Sequence, residues 1–143
     1  MARFVREAVL DFPAAQQSAG AARRLVREHL DRWDVQVVDD DVVLMVSELV
    51  TNVGLHARTE ATVRLLFTGD CLRVEVADGS TEPVEVRPRS PGAETGRGLM
   101  IVAALALTWG VDTKPGGKTV WFEVPGVFAA NHDAHATEGA AGL

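Results

Sequence analysis

Residues 48–56, which read ELVTNVGLH, carry the pattern that decides the fold of this chain. Glu48, Asn52 and His56 follow one another at four-residue intervals inside an otherwise apolar run. On a helix each such step advances about 40° beyond a full turn, so the three polar groups form a shallow diagonal stripe. The adjoining face is apolar and consists of Val42, Val46, Leu49, Val50 and Val53. The spacing therefore predicts a helix that packs on a sheet and holds its polar stripe at the edge of the core.

The chemistry of this stripe has two interpretations. A carboxylate and a carboxamide one turn apart can supply a general base and an oxygen ligand for a hard cation. The same residues also suit a solvated helix flank with an exposed glutamate and a capping-type asparagine, and on these residues alone both interpretations stay open. His56 lies nearer the apolar side of the stripe, a position more typical of a packed structural histidine than of a ligand.

Length and composition indicate one soluble domain. The chain has 143 residues, of which 47% are hydrophobic and 24% are charged, and this length suffices for one core without disulfides. No apolar run reaches the roughly 18 to 20 residues that a membrane span needs. The first residues lack the apolar core of a signal peptide, and the lone Cys71 has no partner for an internal disulfide. We therefore expect a cytoplasmic protein without a membrane anchor.

The charge distribution argues against a nucleic-acid binder. The formal net charge is −6, and the basic residues are scattered among acidic ones. A protein that contacts DNA or RNA directly usually presents a basic face, so no direct nucleic-acid contact is expected. An acidic surface suits a partner with basic patches. More commonly, such charge belongs to a solvated face that binds no partner.

Periodicity and turn residues predict the order of the elements. A mid-helix glycine at position 54 is locally unfavourable, because glycine costs on the order of 1 kcal/mol relative to alanine there. Residues 1–127 are expected to form the folded domain, and residues 128–143, rich in Ala, Gly and His, a disordered tail. The predicted elements are an edge strand over 3–10, a helix over 15–30, a second helix from Asp39 to about Ala57, a hairpin of Thr62–Phe67 and Leu72–Ala77, a third helix from Arg97 to Ala106, and strands at Leu107–Asp112 and Lys118–Val124.

Three further segments follow residues 48–56: VEVADGS at 74–80, ETGRGLMIV at 94–102 and GKTVWF at 117–122. In order and interval, the four segments together resemble the Bergerat ATP-binding fold shared by gyrase B, heat-shock chaperones, sensor histidine kinases and anti-sigma-factor kinases. The resemblance covers roughly residues 3–125. It implies an α+β two-layer sandwich, with three helices on one face of a mixed, mostly antiparallel β-sheet, that binds ATP with Mg²⁺ between the helix layer and a lid.

Within that superfamily, two short segments are most similar to the small actinobacterial anti-sigma regulatory proteins of the serine/threonine kinase branch. These are SELVTN at residues 47–52 and GRGL at residues 96–99. The resemblance implies a kinase that binds a sigma factor or related regulator and phosphorylates a small antagonist protein. Such proteins commonly form homodimers.

The resemblance gives two residues of the first segment functional roles. Asn52 matches the asparagine that ligates Mg²⁺ through its side-chain oxygen, and the ion normally takes its other ligands from phosphates and water. Glu48 matches the general base of the kinase branch, which accepts the proton of an incoming seryl or threonyl hydroxyl. A water-positioning group or a helix-surface charge is the alternative for Glu48.

The base pocket is expected around Asp78, which matches the aspartate that accepts a hydrogen bond from the adenine amino group. Guanine would present a carbonyl there and leave two acceptors facing each other, so adenine is the expected base. Ser80 belongs to the same segment and stands where many family members have glycine. Thr119 matches the threonine that assists adenine recognition, and its alternative role is that of a good strand former.

A phosphate cradle is expected at the start of the third helix, where Gly96, Arg97, Gly98 and Leu99 match the family's segment. Glycine lets the backbone approach a phosphate, and free amides at a helix N-terminus favour its charge. Arg97 either contacts the phosphates or reaches a partner protein, and the sequence leaves both open. A flexible turn before a core helix is the alternative for the glycine pair. The preceding loop, residues 87–96, matches the ATP lid and is expected to be mobile.

Two other functions compete with the kinase. The first is a nucleotide-gated anti-sigma module that sequesters a partner without significant kinase activity, and Gly54 and Ser80 leave room for it. The second is a detached histidine-kinase catalytic domain, which is weaker because the chain has no dimerisation helix with a phosphoacceptor histidine before an acidic residue.

Overall fold

A computed structural model describes residues 4–79 and 97–129. Each predicted helix and strand is present, with ends shifted by a few residues. Within the described residues the helices are α1 (Ser18–Trp33), α2 (Asp39–Asn52) and α3 (Arg97–Leu105), and a π-helical turn (Val53–Ala57) continues α2. The strands are β1 (Arg6–Phe12), β2 (Val35–Gln36), β3 (Ala61–Phe67), β4 (Cys71–Asp78), β5 (Thr108–Lys114), β6 (Gly117–Pro125) and β7 (Val127–Phe128).

The main sheet has the strand order β1-β3-β4-β6-β5, and each neighbouring pair of its described strands is antiparallel. Successive side chains of a strand point to opposite faces, and one face of this sheet is covered by the helices. The buried apolar side chains of β4 and β6 are all at even-numbered positions and therefore face the helices: Leu72, Val74, Val76, Val120, Phe122 and Val124. This architecture confirms the predicted α+β two-layer sandwich.

The apolar face of α2 is buried as its spacing predicts. Val42, Val46, Leu49, Val50 and Val53 are each at most 6% exposed and belong to the hydrophobic core. Burying side chains of this size contributes roughly 1.5 to 3 kcal/mol each relative to exposure. This packing fixes the rotation of α2 about its axis, and the rotation in turn sets where the polar stripe lies.

The last turn of the predicted second helix is π-helical rather than α-helical. The π-helical turn spans Val53–Ala57 and ends at Arg58, which has φ 57° and whose N–H donates to the carbonyl of Val53 at 2.8 Å. Gly54 lies within this turn, and a Cβ built on it has no heavy atom within 4 Å. Its φ lies outside the left-handed region. Neither space nor backbone conformation therefore requires a glycine at this position.

Replacing Gly54 with alanine is expected to raise the free energy of unfolding by about 0.4 to 1 kcal/mol, because it removes unfolded-state entropy at a position with free space. Urea unfolding measures the change. Gly116→Ala is the matched control: its glycine also has free space but has φ +87°, so alanine should destabilise the protein there. A Gly54→Ala variant less stable than the parent would show that the π-helical turn needs glycine.

A second small sheet, which the sequence did not indicate, pairs β2 with β7. The ring of Phe128 in β7 packs edge to face against the ring of Phe67, with the ring centroids 5.2 Å apart. The guanidinium of Arg6 lies over the Phe128 ring. The predicted boundary between domain and tail, after residue 127, thus falls inside a strand. Residues 130–143 of the predicted tail lie outside the described residues. No helix in the described part of the chain is long and apolar enough to cross a membrane.

Candidate nucleotide site

The edge of α2 carries the two predicted catalytic and metal-binding residues. Glu48 and Asn52 are both partly exposed, whereas Leu49 and Val50 between them are buried. Asn52 is the last α-helical residue before the π-helical turn. The polar stripe therefore lies where the sequence predicts it, at the boundary between the core and the surface. His56 belongs to the π-helical turn, and its side chain lies outside the described part of the structure.

The start of α3 packs directly on this edge. A Cβ built on Gly98 would lie 2.5 Å from Nδ2 of Asn52 and 3.5 Å from the carbonyl oxygen of Glu48. A Cβ at this position would force the end of the Asn52 side chain to move, so glycine lets the two helices approach with that side chain in place. The structure thus brings Gly98, Asn52 and Glu48 together. Gly98 lies in the first turn of α3, where backbone amides without intrahelical partners favour negative charge.

Gly98→Ala is expected to displace the Asn52 side chain, to weaken Mg²⁺-dependent ATP binding, and to lower the free energy of unfolding by up to about 1 kcal/mol, because the atom that a Cβ meets is the end of a flexible side chain. Urea unfolding and calorimetric ATP titration measure the two effects. Gly54→Ala on the neighbouring turn is the matched control, because it adds the same methyl group in open space. Unchanged stability and ATP affinity in Gly98→Ala would contradict the close approach.

The predicted adenine residue, Asp78, ends β4 with a nearly buried side chain that is 6% exposed. Two contacts fix the backbone beside it. A Cβ on Gly117, at the start of β6, would collide with the carbonyl oxygen of Asp78. The N–H of Gly79 donates to Oγ1 of Thr59 at 3.0 Å. The turn after β4 is therefore held between β6 and the segment that follows α2.

Lys118 is the residue that lies opposite Asp78 on β6, and its Nζ is 3.3 Å from Oδ2 of Asp78. Thr119 pairs instead with Ala77 and, by strand alternation, faces the side of the sheet away from the helices. The structure therefore does not bring Thr119 together with Asp78. The sequence holds the signal that identifies Lys118: Val120 and Phe122 are the apolar, core-facing residues of this strand, and Lys118 shares their parity.

The outer face of the sheet carries an ion network rather than site residues. The guanidinium of Arg73 donates to Glu75 at 2.9 Å and to Glu123 at 3.1 Å, and it lies 4.2 Å from the ring centroid of Trp121. Burial alone would lower the pKa of Arg73, but these hydrogen bonds outweigh burial and raise the pKa above its ordinary value. Thr119 lies on this face, among groups whose charges are already paired.

The remaining predicted residues are placed only in part. Leu99 is 3% exposed and belongs to the hydrophobic core, so it anchors α3. Arg97 begins α3, but its side chain lies outside the described part of the structure. Ser80 and Gly96 lie outside the described residues, as does the whole predicted lid at 87–96.

The donor set at the α2 edge suits a weakly held Mg²⁺ ion. Among the described residues, no group of three or more His, Cys, Asp or Glu side chains could hold a metal ion. Asn52 supplies one carboxamide oxygen, and Mg²⁺ typically binds one or two protein ligands while phosphates and water complete its coordination. The residues present fit an ion that arrives with a nucleotide.

Comparisons with known proteins agree with this fold. A family model described as the histidine kinase-like ATPase domain matches residues 12–124. The chain belongs to this family, whose ATPase character implies ATP binding. No match to a curated protein was found.

Among solved structures, the chain is similar to the crystal structure of the RsbU and RsbW domains of Rv1364c from Mycobacterium tuberculosis. The TM-score is 0.57 and the identity is 19%, over 87% of this chain and 33% of that chain. At this identity the likeness shows the fold alone, and the chain spans about a third of the length of the protein it matches.

Proposed function

We propose that this chain is an ATP- and Mg²⁺-dependent regulator of the anti-sigma type that phosphorylates a small antagonist protein on serine or threonine. The observation that carries the proposal is the close approach of Gly98, in the first turn of α3, to the Asn52 carboxamide and to the backbone carbonyl of Glu48, which places a carboxamide beside a helix N-terminus. Family membership supports the use of ATP. The likeness to a structure that contains an RsbW domain supports the anti-sigma class.

The proposed binding roles are those that the family resemblance implies. Asp78 accepts a hydrogen bond from the adenine amino group at the end of β4. The amides at the start of α3, with Gly96 and Gly98, hold the phosphates, where the helix dipole favours negative charge. Asn52 holds Mg²⁺, which would neutralise charge on the phosphates during transfer.

The proposed chemical step uses Glu48 as the general base. The hydroxyl oxygen of the antagonist's serine or threonine attacks the γ-phosphorus, the bond from that phosphorus to the β,γ-bridging oxygen breaks, and ADP leaves. Glu48 takes the hydroxyl proton. Its partly exposed position on α2 gives a partner protein access to it, and the buried neighbours Leu49 and Val50 hold the helix in place.

The partners of this protein are proposed to be a sigma factor or related regulator and the antagonist, and the regulator is proposed to act as a homodimer in the cytoplasm. Neither proposed partner is a nucleic acid, in keeping with the net charge of −6. Transfer of radiolabelled γ-phosphate to a small antagonist domain encoded near the gene tests the function. Transfer of the label to the antagonist supports the proposed kinase activity. If the protein binds ATP and captures a sigma factor but transfers no phosphate to any such antagonist, the nucleotide-gated binding module becomes the better account of its function.

A further inference from the structure

Lys118 occupies a position that the proposed function leaves unused. It pairs across the sheet with Asp78, and strand alternation directs both side chains to the face covered by helices. On the same face, Val76 is the neighbour of Asp78 along β4 and is 2% exposed. Val120 is the neighbour of Lys118 along β6 and is 8% exposed. The Lys118 side chain is 13% exposed and Nζ lies 3.3 Å from Oδ2 of Asp78. An ammonium group is therefore held, mostly buried, beside the carboxylate that is proposed to bind adenine.

A gain in stability does not explain this ion pair. When two charges are buried together, the loss of their hydration offsets most of their attraction. A lysine stem is also long and flexible enough to carry its ammonium group to water. Lys118 instead keeps its charge in the pocket, which points to a role in what the pocket binds.

The two side chains have hydrogen-bonding capacity beyond their contact with each other. A carboxylate offers about four acceptor sites on two oxygens, and an ammonium group carries three donors. With about four acceptor sites, the Asp78 carboxylate can accept from a ligand in addition to its contacts within the protein, and the ammonium of Lys118 has donors beyond the one directed at Oδ2. The pocket thus presents an acceptor and a donor side by side. Adenine presents the complementary pair on adjacent atoms, the N6 amino donor and the N1 acceptor.

We propose that Lys118 is a specificity-determining residue of the base pocket, which donates a hydrogen bond to N1 of adenine while Asp78 accepts from the N6 amino group. This inference rests on the proposed ATP binding and names a second contact to the base. It assigns the recognition of the ring nitrogen to a charged side chain on β6, where the sequence comparison pointed to Thr119.

The test is a thermodynamic cycle in which Lys118 is replaced in the protein and N1 of adenine is replaced in the nucleotide. ATP and 1-deaza-ATP, in which a C–H replaces N1, are titrated with Mg²⁺ into the full chain and into Lys118→Met, and affinities are measured by calorimetry. The wild type should bind 1-deaza-ATP at least about tenfold more weakly than ATP, the scale of a lost hydrogen bond to a charged group. In Lys118→Met the two affinities should agree within about twofold, because the donor is absent in both titrations.

Two controls separate this role from a purely structural one. Lys114→Met makes the same change on an exposed residue at the end of β5. This variant should keep the wild-type gap, meaning the difference between its affinities for ATP and for 1-deaza-ATP. If Lys118→Met fails to fold because the Asp78 carboxylate loses the ammonium group beside it, the double variant Asp78→Asn/Lys118→Met removes both charges. The gap should be absent in the double variant as well.

The outcomes are decisive. A gap that persists in Lys118→Met or in the double variant overturns the inference, as does a wild type that binds both nucleotides equally. Loss of discrimination against 7-deaza-ATP instead of 1-deaza-ATP in Lys118→Met also overturns it, because the donor would then reach N7. A wild type that binds no ATP overturns the proposed function together with the inference, whereas ATP binding with an unchanged gap overturns the inference alone.

Discussion

Glu48→Gln is expected to lower the rate of phosphoryl transfer to the antagonist by about 10²- to 10⁴-fold, the usual contribution of a positioned general base. Glutamine keeps the shape of the side chain but cannot accept the hydroxyl proton. ATP affinity should change little, because positioning of the nucleotide depends on the metal ligand and the phosphate cradle. Single-turnover transfer of labelled γ-phosphate measures the rate, and calorimetry with Mg²⁺ and ATP measures binding.

The contrast with Asn52 makes this prediction specific. Asn52→Ala removes the proposed oxygen ligand and should abolish Mg²⁺-dependent ATP binding, so it reduces both binding and rate. Glu28→Gln, the same chemical change on the exposed face of α1, should leave both unchanged. All three variants need a thermal unfolding curve first, because α2 also carries core residues. Transfer by Glu48→Gln at the wild-type rate would show that the base role is wrong.

The sequence was sufficient for the fold wherever periodicity and a buried face coincide. In α2 the apolar residues recur at helical spacing, and all five that the pattern assigns to the core are buried. In β4 and β6 the alternation of apolar and polar residues indicates both the strands and their inward faces. These features depend on local spacing, which a single sequence displays directly. The family resemblance then implied the layering of these elements, with three helices on one face of a mixed, mostly antiparallel sheet.

Features that depend on contacts between distant segments could not be predicted in the same way. The π-helical turn at Val53–Ala57 has the residues of an ordinary helix end. The short pairing of β2 with β7 joins strands of two residues each, too short for a periodic signal. The close approach that favours glycine at position 98 is to the Asn52 side chain on another helix.

The base pocket shows how a one-residue step changes the chemistry of a predicted site. Matching to the family motif placed Thr119 in the pocket, whereas strand alternation places Lys118 beside Asp78. A shift of one residue along a strand moves a side chain to the opposite face of the sheet. Parity with the buried Val120 and Phe122 is therefore a stronger guide to this pocket than the position of a threonine in the motif.

Asp78→Asn is expected to weaken ATP binding by about 1.5 to 3 kcal/mol, the scale of a lost hydrogen bond to a charged group. The asparagine oxygen is a weaker acceptor than the carboxylate, and the amide can present a donor to the adenine amino group. The change also leaves the ammonium of Lys118, which lies 3.3 Å from Oδ2, without its countercharge in a nearly buried position. Calorimetry with ATP and Mg²⁺ measures the loss of affinity.

The loss of binding must be separated from a loss of folding, because removing one partner of a buried ion pair destabilises proteins by about 3 to 5 kcal/mol. Urea unfolding without nucleotide gives the folded fraction of Asp78→Asn, and affinity is then compared at temperatures where that fraction is complete. Asp112→Asn makes the same change at an exposed position on β5 and should alter neither quantity. A folded Asp78→Asn variant that binds ATP with wild-type affinity would reject the adenine assignment, since a nearly buried carboxylate in contact with the base cannot be neutralised without effect.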